Sequence, residues 1–442
     1  MPDAVTSVAY VGLDVGQLEA VGCFLLADGR EPVARWAAPN TAPGAEALAA
    51  RLAALAAQHA VQELRIGLEA TNLSWWHLAC ALNDAPALAP YRPRVYALNP
   101  RLVRAFRAHY GALPKTDRAD AFVIAERVRF GRHLPAPFRV DLRYAPLQRL
   151  TRFRVHIAHR LAREKSYFLT FLFLKFSAFG QAAPFTDPFG AASCAVLEDF
   201  TTEELAQAPL ETLADYLAAK GRGHFKDPAA VAATLRRAAQ DSYQLDKALD
   251  EPVTLVLGAT MATIRTLQAQ LAAVDRTIAR ELKAIPQTLE SVPGLGPVWA
   301  AGLIAEIGDI ARFPDDAALA QYAGLAWKAH QSGRFQAEDT ALTKTGNTYL
   351  RYHLVEAANS VRVHCPEYRA YYRATYAQAL KHPHKRALVL TARKLVRLVA
   401  ALLRSDSRYR PPELEQGRRE VPATTHRRPG RQRRHQLAPA VV

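Results

Sequence analysis

Apolar and polar positions in the first 145 residues follow strand and helix rhythms in turn. Ser7–Val15 and Ala20–Leu26 are short β-prone runs with Gly or Asp at their ends. Pro32–Ala37 predicts a third strand, and the Ala/Leu-rich stretch Ala42–His59 predicts a helix. Glu63–Leu68 reads as a strand, Ser74–Leu82 as a helix, and Arg94–Leu98 as a strand closing at Asn99–Pro100. From Arg101 the pattern is helical again. Three early strands followed by helix, strand, helix, strand and helix is the element order of an RNase H-like α/β fold.

From Leu147 the period changes. Leu147, Leu150, Ile157, Leu161, Phe168 and Phe171 sit near heptad spacing. Leu257, Met261, Ile264, Leu267, Leu271, Val274, Ile278 and Leu282 form a second run with a period of about 3.6 residues. They predict a helical coiled-coil linker over 146–285, interrupted by a smaller helical insert around 180–250. The two long helices either pack on each other or form a dimerisation stalk. Residues 286–404 predict a mostly α domain. Beyond Arg404 the chain turns polar, with nine arginines against four acids over 405–442, and reads as a disordered basic tail.

The chain has 442 residues, half of them hydrophobic, which excludes a disordered or low-complexity protein. Its formal net charge of +16 points to a polyanionic partner, a nucleic acid or an acidic membrane surface. Of 57 basic residues only 12 are Lys, and Arg forks suit phosphate; a GC-rich genome would also favour Arg. Cys23, Cys80, Cys194 and Cys365 are widely spaced, so neither a disulfide framework nor a zinc site is indicated. The start, MPDAVTSVAYVG, does not read as a secretory signal, and no apolar run reaches the ~20 residues of a membrane span. These features predict a soluble cytoplasmic protein.

Five motifs carry chemistry. Asp14 ends an apolar strand in Val11-Gly-Leu-Asp-Val-Gly, and Glu69 ends another in Ile66-Gly-Leu-Glu-Ala-Thr. In an RNase H-like order these strands are neighbours, and two adjacent carboxylates repel unless a cation lies between them. Pro114-Lys-Thr-Asp-Arg-Ala-Asp120 puts Asp117 and Asp120 on one helix face, although Asp117 alone could be a helix N-cap. Together the four acids have the chemistry of a Mg2+ site for phosphodiester cleavage. Ser291-Val-Pro-Gly294-Leu-Gly296-Pro resembles a helix-hairpin-helix turn that lets backbone approach phosphate, or else a tight helix connection. The fifth is Tyr322-Ala-Gly-Leu-Ala-Trp-Lys-Ala-His-Gln-Ser332-Gly-Arg334 followed by Thr343-Lys-Thr-Gly-Asn347-Thr-Tyr-Leu-Arg351. It surrounds Ser332 with Lys328, Arg334, Lys344 and Arg351. A Ser-Gly is usually a turn, but a hydroxyl among cations can be activated.

With these motifs in order, the chain resembles the DEDD transposases of the insertion-sequence one-hundred-and-ten family, the bridge-RNA-guided recombinases. The likeness runs through GLDVG, GLEAT, KTDRADA, SVPGLGPVWAAGLIAEIGDIARF, YAGLA, QSG and TKTGNTYLR, over about residues 1–404. It departs from the family pattern at Trp327, and at Glu338 and Asp339. The resemblance implies a RuvC-type domain over 1–145 that binds Mg2+ through Asp14, Glu69, Asp117 and Asp120. It implies a serine transposase domain over 286–404 whose Ser332 forms a phosphoserine link to DNA. Lys115, Arg118, Gly294, Gly296, Lys328, Arg334, Lys344, Asn347 and Arg351 are the expected nucleic-acid contacts. Expected partners are a structured noncoding bridge RNA, donor and target DNA, and further copies of the chain, a dimer assembling to a tetramer. The implied setting is the bacterial cytoplasm, at the nucleoid. A metal-dependent RuvC-like nuclease or Holliday-junction resolvase, without serine chemistry, is the alternative. A non-catalytic relative is disfavoured because all four acids and Ser332 remain, and an actin-like kinase because no second phosphate loop is present.

Overall fold

The computed structural model describes residues 7–327, 331–332, 335–336 and 342–411. The chain divides at Pro146/Leu147 into two compact units.

Unit 1 is built on a five-stranded sheet. Its strands are β1 (Val8–Val15), β2 (Glu19–Leu25), β3 (Trp36–Pro39), β4 (Glu63–Glu69) and β5 (Arg94–Leu98), in the spatial order β3-β2-β1-β4-β5. β1, β2 and β3 form an antiparallel meander, while β4 and β5 add parallel to β1. Parallel additions need crossovers. These are α1 (Ala42–Gln58) and α2 (Ser74–Asp84), with α3 (Pro100–Arg107) and α4 (Asp117–Phe130) following β5.

Side chains alternate across the sheet with a period of two. Ala9, Val11 and Leu13 of β1 and Leu64, Ile66 and Leu68 of β4 join the core formed with α1 and α2. Tyr10 of β1 and Tyr96 and Leu98 of β5 pack instead with Val123, Ile124 and Val128 of α4.

The third strand lies later than its apolar run implies, at Trp36–Pro39 rather than Pro32–Ala37. A turn at Asp28–Gly29, with Gly29 at φ 87°, and an Arg35–Glu31 ion pair occupy the preceding stretch. Trp36 then packs over Gly22, where a Cβ would meet its indole ring at 2.6 Å. That packing, invisible to periodicity, fixes where the strand begins.

The boundary falls just inside α5 (Ala145–Lys175), which supplies the first long helix of unit 2. Five shorter helices follow: α6 (Phe179–Ala182), α7 (Ala191–Asp199), α8 (Thr202–Gln207), α9 (Leu210–Gly221) and α10 (Pro228–Gln240). The chain returns along α11 (Lys247–Leu282). Arg154 pairs with Asp275 at 2.5 Å, and Lys175 donates to Thr254 Oγ1 at 2.5 Å. Advancing 21 residues on one helix and retreating 21 on the other means the two run antiparallel within one chain. The long helices therefore pack on each other. The short helices close over their far end, burying Phe168, Leu172, Met261 and Ile264 with Leu213, Leu217 and Leu235.

After α11 come α12 (Pro297–Ile307), α13 (Asp316–Tyr322) and a two-residue hairpin of β6 (Gln331–Ser332) and β7 (Phe335–Gln336). Then follow α14 (Thr348–His364), α15 (Pro366–Gln378) and α16 (Pro383–Ser405). Among the described residues no helix is long and apolar enough to cross a membrane. Of the expected tail, 405–411 are described, Ser405 as the last residue of α16, and 412–442 lie outside the described residues. Tyr409 is anchored, its amide donating to Ser291 Oγ at 2.8 Å.

Candidate active site

The carboxylates of unit 1 are assembled by a tripeptide that occurs twice. β1 carries Gly12-Leu13-Asp14 and β4 carries Gly67-Leu68-Glu69, and the two strands pair Gly12 with Gly67 and Leu13 with Leu68. The parallel register therefore puts Asp14 and Glu69 side by side at the next step. Each Leu points into the α1/α2 core. Each Gly and each acid then falls on the opposite face, toward α4.

The glycines let that helix come close. A Cβ on Gly12 would fall on the Ala121 carbonyl and the Ala125 amide, and one on Gly67 would meet Val128 at 2.5 Å. α4 thus lies directly on the paired glycines, running antiparallel to β1. Its first turn, with Asp117 and Asp120, arrives at the strand ends where the acids stand. The N-cap is Thr116, whose hydroxyl accepts from the Ala119 amide at 3.2 Å. The N-cap role considered for Asp117 belongs to Thr116, and Asp117 is left outside the capping hydrogen bonds.

Electrostatics register the convergence. Burial, then the charges of Asp117 and Glu69, push the Asp14 carboxyl up to about 6. No basic side chain offsets this rise. Glu69 accepts one hydrogen bond, from Thr71 Oγ1 at 2.7 Å. Asp120 stands apart, ion-paired with Arg107 of α3. Among the described residues, no three His, Cys, Asp or Glu side chains converge closely enough to cage an ion as they stand. As folded, Asp14 feels the charges of Asp117 and Glu69, and Asp120 is held by arginine. Lys115 and Arg118 flank it, exposed. The Arg118 carbonyl accepts from Arg35 Nη1.

In unit 2 the expected contacts divide. Lys328 and Arg334 lie outside the described residues. Ser332 lies in β6, its backbone paired with Phe335. Lys344 is exposed at φ 49°. Arg351 donates to the Ala323 carbonyl at 3.2 Å. Asn347 caps α14, accepting from the amides of Tyr349 and Leu350 at 3.0 Å each, and donates to Glu306 at 2.6 Å. Its carboxamide is thus consumed inside the protein rather than offered to nucleic acid. Gly294, at φ 89°, packs where a Cβ would meet the Ser360 carbonyl at 2.9 Å, which gives it a packing reason of its own. Gly296 has open space around it and forms the N-cap of α12.

Sequence reasoning missed the Glu306 ion pair and the pairing of Asp120 with Arg107. For Glu306 a signal existed: one carboxylate inside the apolar run Ala300–Ile307. It also missed His353, fully buried with neither ring nitrogen hydrogen-bonded. Burial and the nearby charges of Arg154 and Arg152 hold its pKa down at about 3, so it is neutral at physiological pH.

The chain matches known proteins in both units. Residues 11–176 match a transposase family model of the IS110 DEDD type. Residues 286–373 match the model of the Transposase IS116/IS110/IS902 family. A probable family 20 transposase of Pseudomonas aeruginosa is 31% identical over 167 residues, 37% of this chain and 49% of that protein. The uncharacterized 44.8 kDa protein of insertion element IS116 of Streptomyces clavuligerus is 27% identical over 339 residues, 70% of this chain and 76% of that protein. The transposase for insertion sequence element IS1111A of Coxiella burnetii is 30% identical over 138 residues, 29% of this chain and 37% of that protein. The chain thus spans about half the length of the Pseudomonas relative and about three quarters of the IS116 protein.

Proposed function

The chain belongs to the IS110 family of DEDD transposases, and on that premise we propose that it cuts and rejoins DNA as the transposase of an insertion sequence. The observation that carries the reading is the acid trio: three carboxylates from β1, β4 and α4, with Asp14 pushed up to about 6 by its neighbours. A carboxylate raised by two neighbouring acids, with no basic side chain offsetting it, suits a divalent cation, which would draw the acids together and relieve their repulsion. Asp14, Glu69 and Asp117 would hold it, with Asp120 completing the set on release from Arg107. Mg2+ is the ion we assign, because all donors are carboxylate oxygens. Bound there, the cation would polarise a phosphodiester and stabilise the departing oxygen. The strand order β3-β2-β1-β4-β5 supports the RNase H-like, RuvC-type assignment.

In unit 2 the assigned nucleophile is Ser332. Its Oγ forms a bond to phosphorus, the bond from phosphorus to one deoxyribose oxygen breaks, and that oxygen leaves as a strand-terminal hydroxyl. The serine proton passes to solvent or to the departing oxygen. The phosphoester energy stays in the phosphoserine, so the reverse attack rejoins strands without a nucleotide cofactor. Lys328, Arg334 and Lys344 neutralise phosphate around it, and Lys115 and Arg118 do so beside the acid trio. A structured bridge RNA supplies sequence choice by base pairing, the division of labour used by other guided effectors. Copies of the chain assemble on it, as a dimer and then a tetramer.

The test is a trapping assay. Wild-type protein is incubated with plasmid DNA carrying the element's joined ends, the transcript of its flanking noncoding sequence and Mg2+. A covalent protein–DNA adduct is expected on a denaturing gel, absent in Ser332→Ala. Free, unlinked ends made by Ser332→Ala would favour the second reading, a metal-dependent nuclease or junction resolvase. That reading draws on the acid trio being complete within unit 1.

A further inference from the structure

We propose that Glu306, together with Arg152 and Asn347, is a positioning device that fixes both ends of the segment carrying Ser332. The proposal rests on the serine reading above.

Glu306 belongs to α12 and its side chain is fully buried. Arg152 of α5 grips it with both forks, Nε to Oε1 at 2.6 Å and Nη2 to Oε2 at 2.8 Å. Asn347 Nδ2 donates to Oε2 at 2.6 Å and to the Tyr322 hydroxyl at 3.2 Å. With its Oδ1 capping α14, Asn347 is engaged at both ends of its carboxamide.

Tyr322 and Asn347 begin two arms that lie side by side. The Asn347 amide donates to the Tyr322 carbonyl at 2.7 Å, and the Thr343 amide to the Ala326 carbonyl at 2.8 Å. Trp327 bridges Leu342. Glycines allow the arms to close: Gly346 lies against the Tyr322 carbonyl and Gly324 against the Thr345 carbonyl, at positive φ of 97° and 69°. The arms lead into and out of the stretch that contains the β6–β7 hairpin and Ser332.

A buried carboxylate is a poor way to gain stability, since apolar packing of equal volume does as well or better. What a charge-assisted, bidentate tie adds is direction. Here it ties α12, the start of α5 and the base of the Ser332 segment to one point. A nucleophile on a short hairpin needs such a base, because small misplacement costs rate steeply.

The experiment compares adduct formation under single turnover, at saturating plasmid DNA and transcript, with nucleic-acid binding and thermal melting measured alongside. Asn347→Asp sets a second carboxylate against Glu306. It is expected to slow adduct formation by about a hundredfold while leaving binding near wild type. Adding Glu306→Gln restores a donor–acceptor pair and is expected to recover most of the rate. A core variant away from the arms, Val399→Ala, serves as the stability control. Amide exchange at Thr343 and Asn347, which needs no substrate, is expected to quicken in Asn347→Asp and slow again in the double variant. The proposal is overturned if Asn347→Asp forms adduct at the wild-type rate, if the double variant is no faster, or if rate simply follows melting temperature across all variants. An adduct that persists in Ser332→Ala would instead overturn the serine reading, whatever the Asn347 variants do.

Discussion

The two units handle their carboxylates in opposite ways. At the end of the unit 1 sheet, half-buried Asp14 lies within reach of the charges of Asp117 and Glu69, and no basic side chain offsets its rise. In unit 2, Glu306 is buried far more deeply yet fully answered, by an arginine fork and an asparagine amide. The second arrangement is what a stable fold does with a charge it must bury. The first costs the fold something, a cost that the proposed cation would offset. Uncompensated repulsion marks chemistry, and exact compensation marks architecture.

The sharpest way to break this contrast is to remove one partner from the compensated group. Arg152→Leu leaves Glu306 buried and short of its counter-charge, and is expected to destabilise unit 2 by about 3–5 kcal/mol. Urea unfolding measures this, and an unchanged midpoint would mean that Glu306 does not need its arginine.

The uncompensated group predicts the reverse pattern. Asp14→Asn or Asp117→Asn should leave the fold as stable or more so, while strand cleavage falls by at least about a hundredfold, more than loss of an outer-shell partner costs. The proposed RNA binding, assigned to Arg and Lys, should survive. Normal cleavage by either variant would end the metal-site reading. Next in size is Gly12→Ala, whose methyl group would collide with the α4 backbone. It should cost about 1–3 kcal/mol and displace Asp117 from Asp14, so chemical unfolding and cleavage should both register it.

The smallest effect is the pH dependence of the metal-free protein. Asp14 titrates at about 6 folded, against 3.8 as a free side chain. Between those values the folded state keeps a proton that the unfolded chain has lost. The resulting stability is fully present below the lower value and is lost as pH rises through about 6. Raising the pH from 5 to 7 should therefore lower stability by about 1 kcal/mol or less, discounted because the carboxylate is partly exposed. Asp14→Asn should flatten that slope, and a slope that persists in the variant would assign it to another group.

Much of unit 1 was legible from the chain. Short β-prone runs place β1, β4 and β5 within a residue of where they fold, because strands buried on both faces read as compact apolar runs. β3 was misplaced because its start depends on Trp36 meeting Gly22, a contact between strands. The acids at the strand ends were visible as residues. That Asp120 turns to Arg107 was not, since that choice belongs to the packing of α3 against α4. In unit 2 the two long helices were legible from their period, but not which way they run. That rests on side chains far apart in sequence, Arg154 with Asp275 and Lys175 with Thr254. The family resemblance implies a nucleic-acid contact at Asn347. Only the folded chain turns it inward, to Glu306.

By itself the sequence determined the repeated Gly-Leu-acid tripeptide, and with it the face on which each acid stands, because strand alternation is local and obligatory. It determined the basic balance of +16 and the order of the motifs. The tertiary structure alone decided which charges are answered. It laid α4 on Gly12 and Gly67 so that Asp117 reaches Asp14, and it carried Arg152 across 154 residues to Glu306. Electrostatic energy depends on distance through space, and distance along the chain does not report it.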